Sequence, residues 1–256
     1  PSLVGSEMCI RDSLIRKEGV AKYLKESFKA ARQANPKATL LINDYRVGDD
    51  YLEVIKFLKE DDKLLYDVIG IQSHMHRGVW SNERISEVCN RFSRFGVPIH
   101  FTETTIVSGR YIGGMRRWGP TEPSLEQKQA EEAARFYTML FSHPYVTAIT
   151  WWDFCDARAW QGAAAGFLRK DCSPKPIYHR IRALIKKEWW SVAEAKTDSK
   201  GVVRIPVFFG KHMVEAHLSE RRVLKKVINF PRPWPPPLKK RCCLELNIIG
   251  EELKDP

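Results

Sequence analysis

Four times between residues 20 and 187, a short apolar run ending in polar or aromatic residues alternates with a longer stretch whose apolar residues recur every three or four positions. This alternation constrains the chain most strongly, because it is the pattern of βα units wound by right-handed crossovers around a parallel sheet. The first run, Thr39-Leu40-Leu41-Ile42, ends in Asn43-Asp44-Tyr45, and the second, residues 67–71, ends in Gln72-Ser73-His74. The third, with Val97, Ile99 and Phe101 apolar, ends in Glu103, and the fourth, residues 145–150, ends in Trp151-Trp152-Asp153. Continuous apolar character marks strands covered on both faces. Parallel strands share one C-terminal edge, so these endings would emerge together on the face where α/β barrels carry their chemistry.

The intervening stretches predict helices. Tyr23, Leu24, Phe28 and Ala31 form one apolar stripe, closed by Asn35-Pro36. Asp50 opens a second helix with Leu52, Ile55, Leu58 and Leu64 on its inner side. Ser81 can cap a third, in which Ile85, Val88, Cys89 and Phe92 recur before Gly96 stops it. A long glycine-rich loop from Val107 to Glu122 leads to Ser124-Leu125-Glu126-Gln127, a capping-box pattern predicting a helix to about His143. The last helix begins near Pro174-Lys175-Pro176 and runs to Lys187. After Trp190 short alternating runs around the turn at residues 197–201 predict a small β appendage. The run Pro231-Arg232-Pro233-Trp234-Pro235-Pro236-Pro237 cannot enter a central strand.

With 256 residues and 43% hydrophobic content, the chain can bury the core of one large domain plus an appendage. No apolar run approaches the roughly 20 residues that span a membrane, so no membrane partner is expected. Residues 1–13 contain no secretory apolar core, and the piece SEMCIRD resembles adapter read-through, so they are read as a non-native leader on a fragment. The net charge of +11 invites nucleic acid, but nine Lys/Arg against Glu215 and Glu220 fall between Lys211 and Cys243. A basic tail, with no nucleic-acid-binding motif, accounts for most of the charge. The six cysteines have neither CxxC pairs nor a scaffold spacing and fix no redox compartment.

Taken as a set, LLINDY (40–45), GIQSH (70–74), IHFTE (99–103), ITWWDFCDARAW (149–160) and SPKPIYHRI (173–181) resemble family 10 glycoside hydrolases, the endo-β-1,4-xylanases. The resemblance covers about Val20 to Lys187 in the correct order. It implies a partial TIM (β/α)8 barrel, strands five to eight, at residues 14–190. A small C-terminal β appendage at 191–230 and a basic, Pro-rich tail at 231–256 would follow. Carried over by position, Glu103 is similar to the catalytic nucleophile and His74 to the histidine that orients it. Gln72 lines the same subsite, Trp152 and Trp160 wall the sugar beside the scissile bond, and Asn43, Asp44 and Tyr45 line the substrate or support the fifth strand. The implied partner is xylan or a xylo-oligosaccharide, with no cofactor and no metal, and the family implies a secreted protein.

The chemistry of those residue types agrees with that assignment. A retaining glycosidase places one carboxylate as nucleophile about 5–5.5 Å from a second that acts as acid and then base. A histidine donating to Glu103 would orient it, and flat indole faces stack on the apolar faces of sugars. Two departures stand out. Thr104 and Thr105 occupy positions where the family's motif continues with an aliphatic residue and then Asp or Asn. The family's acid/base Glu, after an Asn at the end of the fourth strand, would precede Val20 and is not in this chain. Trp80-Ser81-Asn82-Glu83 is superficially similar to that motif but follows the sixth strand and starts a helix. Two other functions stay open. One is a noncatalytic carbohydrate-binding remnant, because leaving-group protonation, worth about 10²–10⁴ in rate, is lost without the acid. The other is a metal hydrolase using His74 and His76, with Asp153 as the further ligand.

Overall fold

A computed structural model describes residues 19–113, 117–219, 222–231, 233–236, 243–249 and 252–254. The leader expected at 1–13 and part of the expected tail lie outside the described residues. The chain divides into two compact units, Pro1–Tyr178 and His179–Pro256.

The first unit is built on four parallel strands: β1 (Leu41–Asp44), β2 (Val68–Ile71), β3 (Ile99–Ile106) and β4 (Val146–Trp151), ordered β1-β2-β3-β4. Before and between them lie helices α1 (Val20–Ala34), α2 (Asp49–Phe57), α3 (Asn82–Ser93) and α4 (Pro123–Ser142). Helix α5 (Pro176–Ala183) follows β4. The apolar strand residues supply the core: Ile69, Ile71, Ile99 and Phe101 are fully buried, as are Ile55, Val88, Phe92, Ala133, Phe136 and Leu140 of the helices. Phe101 meets Phe136 edge to face at 5.7 Å, and Trp80 caps both rings. The Tyr51 hydroxyl of α2 lies between the carbonyls of Ile42 and Gly70, at 3.0 and 2.9 Å, and so ties the helix to two strands.

The register aligns the strand ends. Asn43 pairs with Gly70 and Gly70 with His100, while the Gln72 amide donates to Asp44 O and the Trp152 amide to Thr104 O. Among the described residues β1 pairs only with β2 at one edge and β4 only with β3 at the other, so the sheet is open. No helix among them is long and apolar enough to cross a membrane.

Local structure departs from the sequence reading at several places. Helix α2 ends at Phe57, and Leu64 belongs to a hairpin of Lys59–Glu60 against Lys63–Leu64. Asp61 and Asp62 turn it, both at positive φ, the geometry that matches strand twist. The expected loop after Val107 contains a second hairpin, Gly109–Ile112 against Arg117–Thr121. There a Cβ on Gly109 would come within 2.5 Å of the Gly119 carbonyl, so the close approach at that point requires a glycine. Helix α4 starts at Pro123 rather than being capped by Ser124, since proline lacks the amide that a first turn leaves unpaired. The last helix ends in a π turn at Leu184–Glu188.

The second unit contains β5 (Val202–Pro206), β6 (Gly210–Ser219), β7 (Arg222–Phe230), β8 (Cys243–Ile249) and β9 (Glu252–Lys254). β6 and β7 form a hairpin, while β8 pairs antiparallel with both β5 and β9. Ile228 centres its core, packed by Val203, Ile205, Val207, Val214, Ala216, Leu224 and Phe230. Two strands thus occur within 231–256, the stretch whose composition reads as a tail, and five of its six prolines precede them.

Candidate active site

Glu103 stands near the C-terminal end of β3, and the neighbouring strand ends converge on its carboxylate. Gln72 donates from Nε2 to Oε1 at 2.8 Å and Asn43 from Nδ2 to the same oxygen at 3.3 Å. His74 Nε2 is 3.0 Å from Oε2. These three groups come from β1 and from the segment after β2, so the carboxylate is oriented by the register of the sheet.

Each donor is itself held. Thr102 donates to Asn43 Oδ1 at 2.8 Å, which turns the amide nitrogen toward Glu103. A Cβ at Gly70 would fall 2.7 Å from Asn43 Oδ1 and from Leu41 Cδ2, so the glycine makes room for that amide. His74–Met75 runs as a short strand parallel to Thr105–Ile106, opposing His74 and Thr105. The Thr105 hydroxyl lies 3.0 Å from His74 Nδ1, on the ring edge away from Glu103. Thr105 is fully buried. Buried Ser73 and Thr104 share a hydrogen bond of 2.9 Å that pins the same segment to β3.

Two indoles enclose this cluster. Trp160 stacks on His74 at 5.3 Å and 30°, and Trp152 meets it edge-on at 5.9 Å. They remain 46% and 41% exposed, which leaves face area open to a ligand beside Glu103. His76 lies behind, against Trp160 and Trp118, with its Nε2 buried and unpartnered among the described residues. Burial, with His74 nearby, lowers its pKa to about 4. Asp153 accepts the Trp160 amide at 3.1 Å, and burial raises its carboxyl above the usual range.

The predicted residues do not all meet. Asn43, Gln72, His74, Glu103, Trp152 and Trp160 come together, whereas Asp44 is paired with Arg46 at 2.6 Å and Tyr45 is largely exposed under the same guanidinium. Ser81 caps α3 by accepting from the Arg84 amide, and Glu83 lies in its first turn. Among the described residues no three His, Cys, Asp or Glu side chains are grouped to hold a metal, which removes the support for a His74, His76 and Asp153 centre.

The sequence reading missed a buried polar network that braces the Trp160 loop. Lys175 is fully buried, bridging both Asp156 oxygens at 2.7 and 2.9 Å and donating to Ser108 Oγ at 3.0 Å. Burial lowers its pKa. Asp156 in turn accepts the Gly166 amide at 2.7 Å, and Arg169 grips buried Glu126 of α4 through two nitrogens. Nothing in spacing announces these pairs, because Asp156 and Lys175 are separated by the whole loop they close.

Four parallel βα units with a hydrogen-bonded carboxylate and two tryptophans at the C-terminal edge define part of a (β/α)8-barrel of the glycosidase kind. Residues 4–184 match Glycosyl hydrolase family 10, and the chain belongs to that family. It is 29% identical over 180 residues to Endo-1,4-beta-xylanase B of Thermotoga neapolitana, covering 65% of this chain and 49% of that protein. Among solved structures, xylanase 10B of Thermotoga petrophila RKU-1, in complex with xylobiose, superposes with a TM-score of 0.58 at 24% identity, covering 68% of this chain and 54% of that one. Native xylanase 10B of Thermotoga maritima gives the same TM-score and coverage at 25% identity. The chain therefore spans about half the length of these relatives, and its sheet is a partial barrel.

Proposed function

We propose that these four βα units form the nucleophile-bearing half of a retaining endo-β-1,4-xylanase, with Glu103 as the nucleophile. The observation that carries this reading is the Glu103 carboxylate held by three donors at a strand end between two open indole faces. In the closed barrel Glu103 attacks the anomeric carbon while a carboxylic acid from the other half protonates the departing oxygen. Water then cleaves the glycosyl ester, giving its proton to that same group. His74 and Gln72 orient the nucleophile, and Trp152 and Trp160 stack on the sugar. Asn43 fixes the remaining lone pair of Oε1.

A second reading, a sugar-binding module without hydrolysis, has one observation in its favour: among the described residues Glu103 is met by Asn43, Gln72 and His74 and by no second carboxylate. One experiment separates the two. The chain is joined to the four N-terminal βα units of a family 10 xylanase and incubated with a 2-deoxy-2-fluoro-xylobioside carrying a good leaving group. The first reading expects a stable glycosyl adduct mapping to Glu103 by mass spectrometry, absent in Glu103→Gln. An adduct elsewhere, or xylan hydrolysis undiminished in Glu103→Gln, would sink it. Binding of xylo-oligosaccharide that is lost in Trp160→Ala, with neither adduct nor reducing sugar, would favour the second.

A further inference from the structure

Cys89, Cys155 and Cys172 are free thiols, and the last two stand at opposite ends of the loop that follows β4. That loop is closed by backbone contacts. Leu168 bridges Cys155 in one direction and Pro174 in the other, with the Leu168 amide donating to Phe154 O and the Asp156 amide to Leu168 O, both at 3.0 Å. A single carbonyl then receives both cysteines: Arg169 O accepts the Cys155 thiol at 3.1 Å and the Cys172 amide at 3.0 Å. Cys172 is exposed and left-handed, at φ 65°, directly after the turn that begins at Arg169. Two cysteines that meet at one carbonyl, across a loop whose ends are pinned, need little backbone travel to reach disulfide geometry.

We propose that Cys155 and Cys172 are a redox-modification site, a dithiol that an external disulfide converts to an intramolecular disulfide closing the Trp160 loop. The exposed Cys172 thiolate attacks one sulfur of the oxidant, such as oxidised glutathione, and the first glutathione leaves as a thiolate. The Cys155 thiolate then attacks the Cys172 sulfur of the mixed disulfide and expels the second. The two protein thiols lose two protons and two electrons, and the two departing thiolates take up both. The loop so closed holds Asp156 and Trp160 and ends beside Arg169, and a cross-link here restricts the unfolded chain.

The test uses the full chain equilibrated with oxidised glutathione, alkylated and digested with trypsin, whose cleavage after Arg158 and Lys170 puts the two cysteines on separate peptides. The expected product is those two peptides joined, lighter by two hydrogens and released by dithiothreitol. The oxidised chain should also melt several degrees above the reduced one, a difference absent in Cys155→Ser and Cys172→Ser. Persistent glutathione adducts on Cys172 without the link, or links that instead join Cys89, Cys242 or Cys243, would overturn the proposal. The peptide map is read in the unsubstituted chain, so misfolding of a serine variant does not obscure it. It is also indifferent to whether any glycan is cleaved, and its failure leaves the glycosidase reading untouched.

Discussion

Glu103 has three donors, while His76, two residues beyond His74, has a ring nitrogen with none, and this contrast has a thermodynamic consequence. The ordinary imidazole pKa of 6.5 falls to about 4 at His76 in the folded chain because burial disfavours its charged form. The unfolded chain therefore binds a proton between those values that the folded chain refuses, and stability drops as pH falls from about 6.5 to about 4. Melting temperatures measured across that window should decline less steeply in His76→Gln than in the unsubstituted chain. Parallel slopes would show that other groups set the acid limb. At this scale much of the site was legible in the sequence. Asn43, Gln72, His74 and Glu103 each follow an apolar run, and parallel strands leave such residues on one edge. Asp44 and Tyr45 follow the same run, but alternation along the strand turns Asp44 away from Asn43, Tyr45 lies past the strand's end, and Arg46 meets both.

Among the elements, the four parallel strands were located because burial on both faces leaves an unbroken apolar record, although β3 runs three residues past Glu103, where its apolar run was read to end. The hairpins at 59–64 and 109–121 were not, since one turns on two positive-φ aspartates and the other depends on a close backbone approach at Gly109. The loop after β4 was equally opaque, because its brace is Lys175 on Asp156, an ion pair formed between distant positions. Removing one partner of a buried pair leaves an uncompensated charge, which costs about 3–5 kcal/mol, whereas replacing both by apolar groups can be nearly neutral. Urea denaturation of Lys175→Met should thus reveal a loss of that order, with Lys175→Met/Asp156→Leu recovering most of it. A double variant as unstable as the single would show that the Ser108 and Gly166 contacts, rather than charge balance, hold the loop.

For the whole molecule, the controlling fact is an open four-stranded sheet with β1 and β4 at its edges. Unpaired strand edges and an inner sheet face template association. The 256-residue polypeptide alone should sediment as dimers or larger species, and added xylo-oligosaccharide should not resolve them. A sharp monomer boundary would count against this.

The donors to Glu103 also bear on how such a barrel can be inherited. All three arise from β1 and from the segment linking β2 to β3, so the aim of this carboxylate is settled without any residue beyond the four units. The half-barrel is in that respect a cassette. Recombined with a different N-terminal half, it is expected to carry its own carboxylate geometry intact.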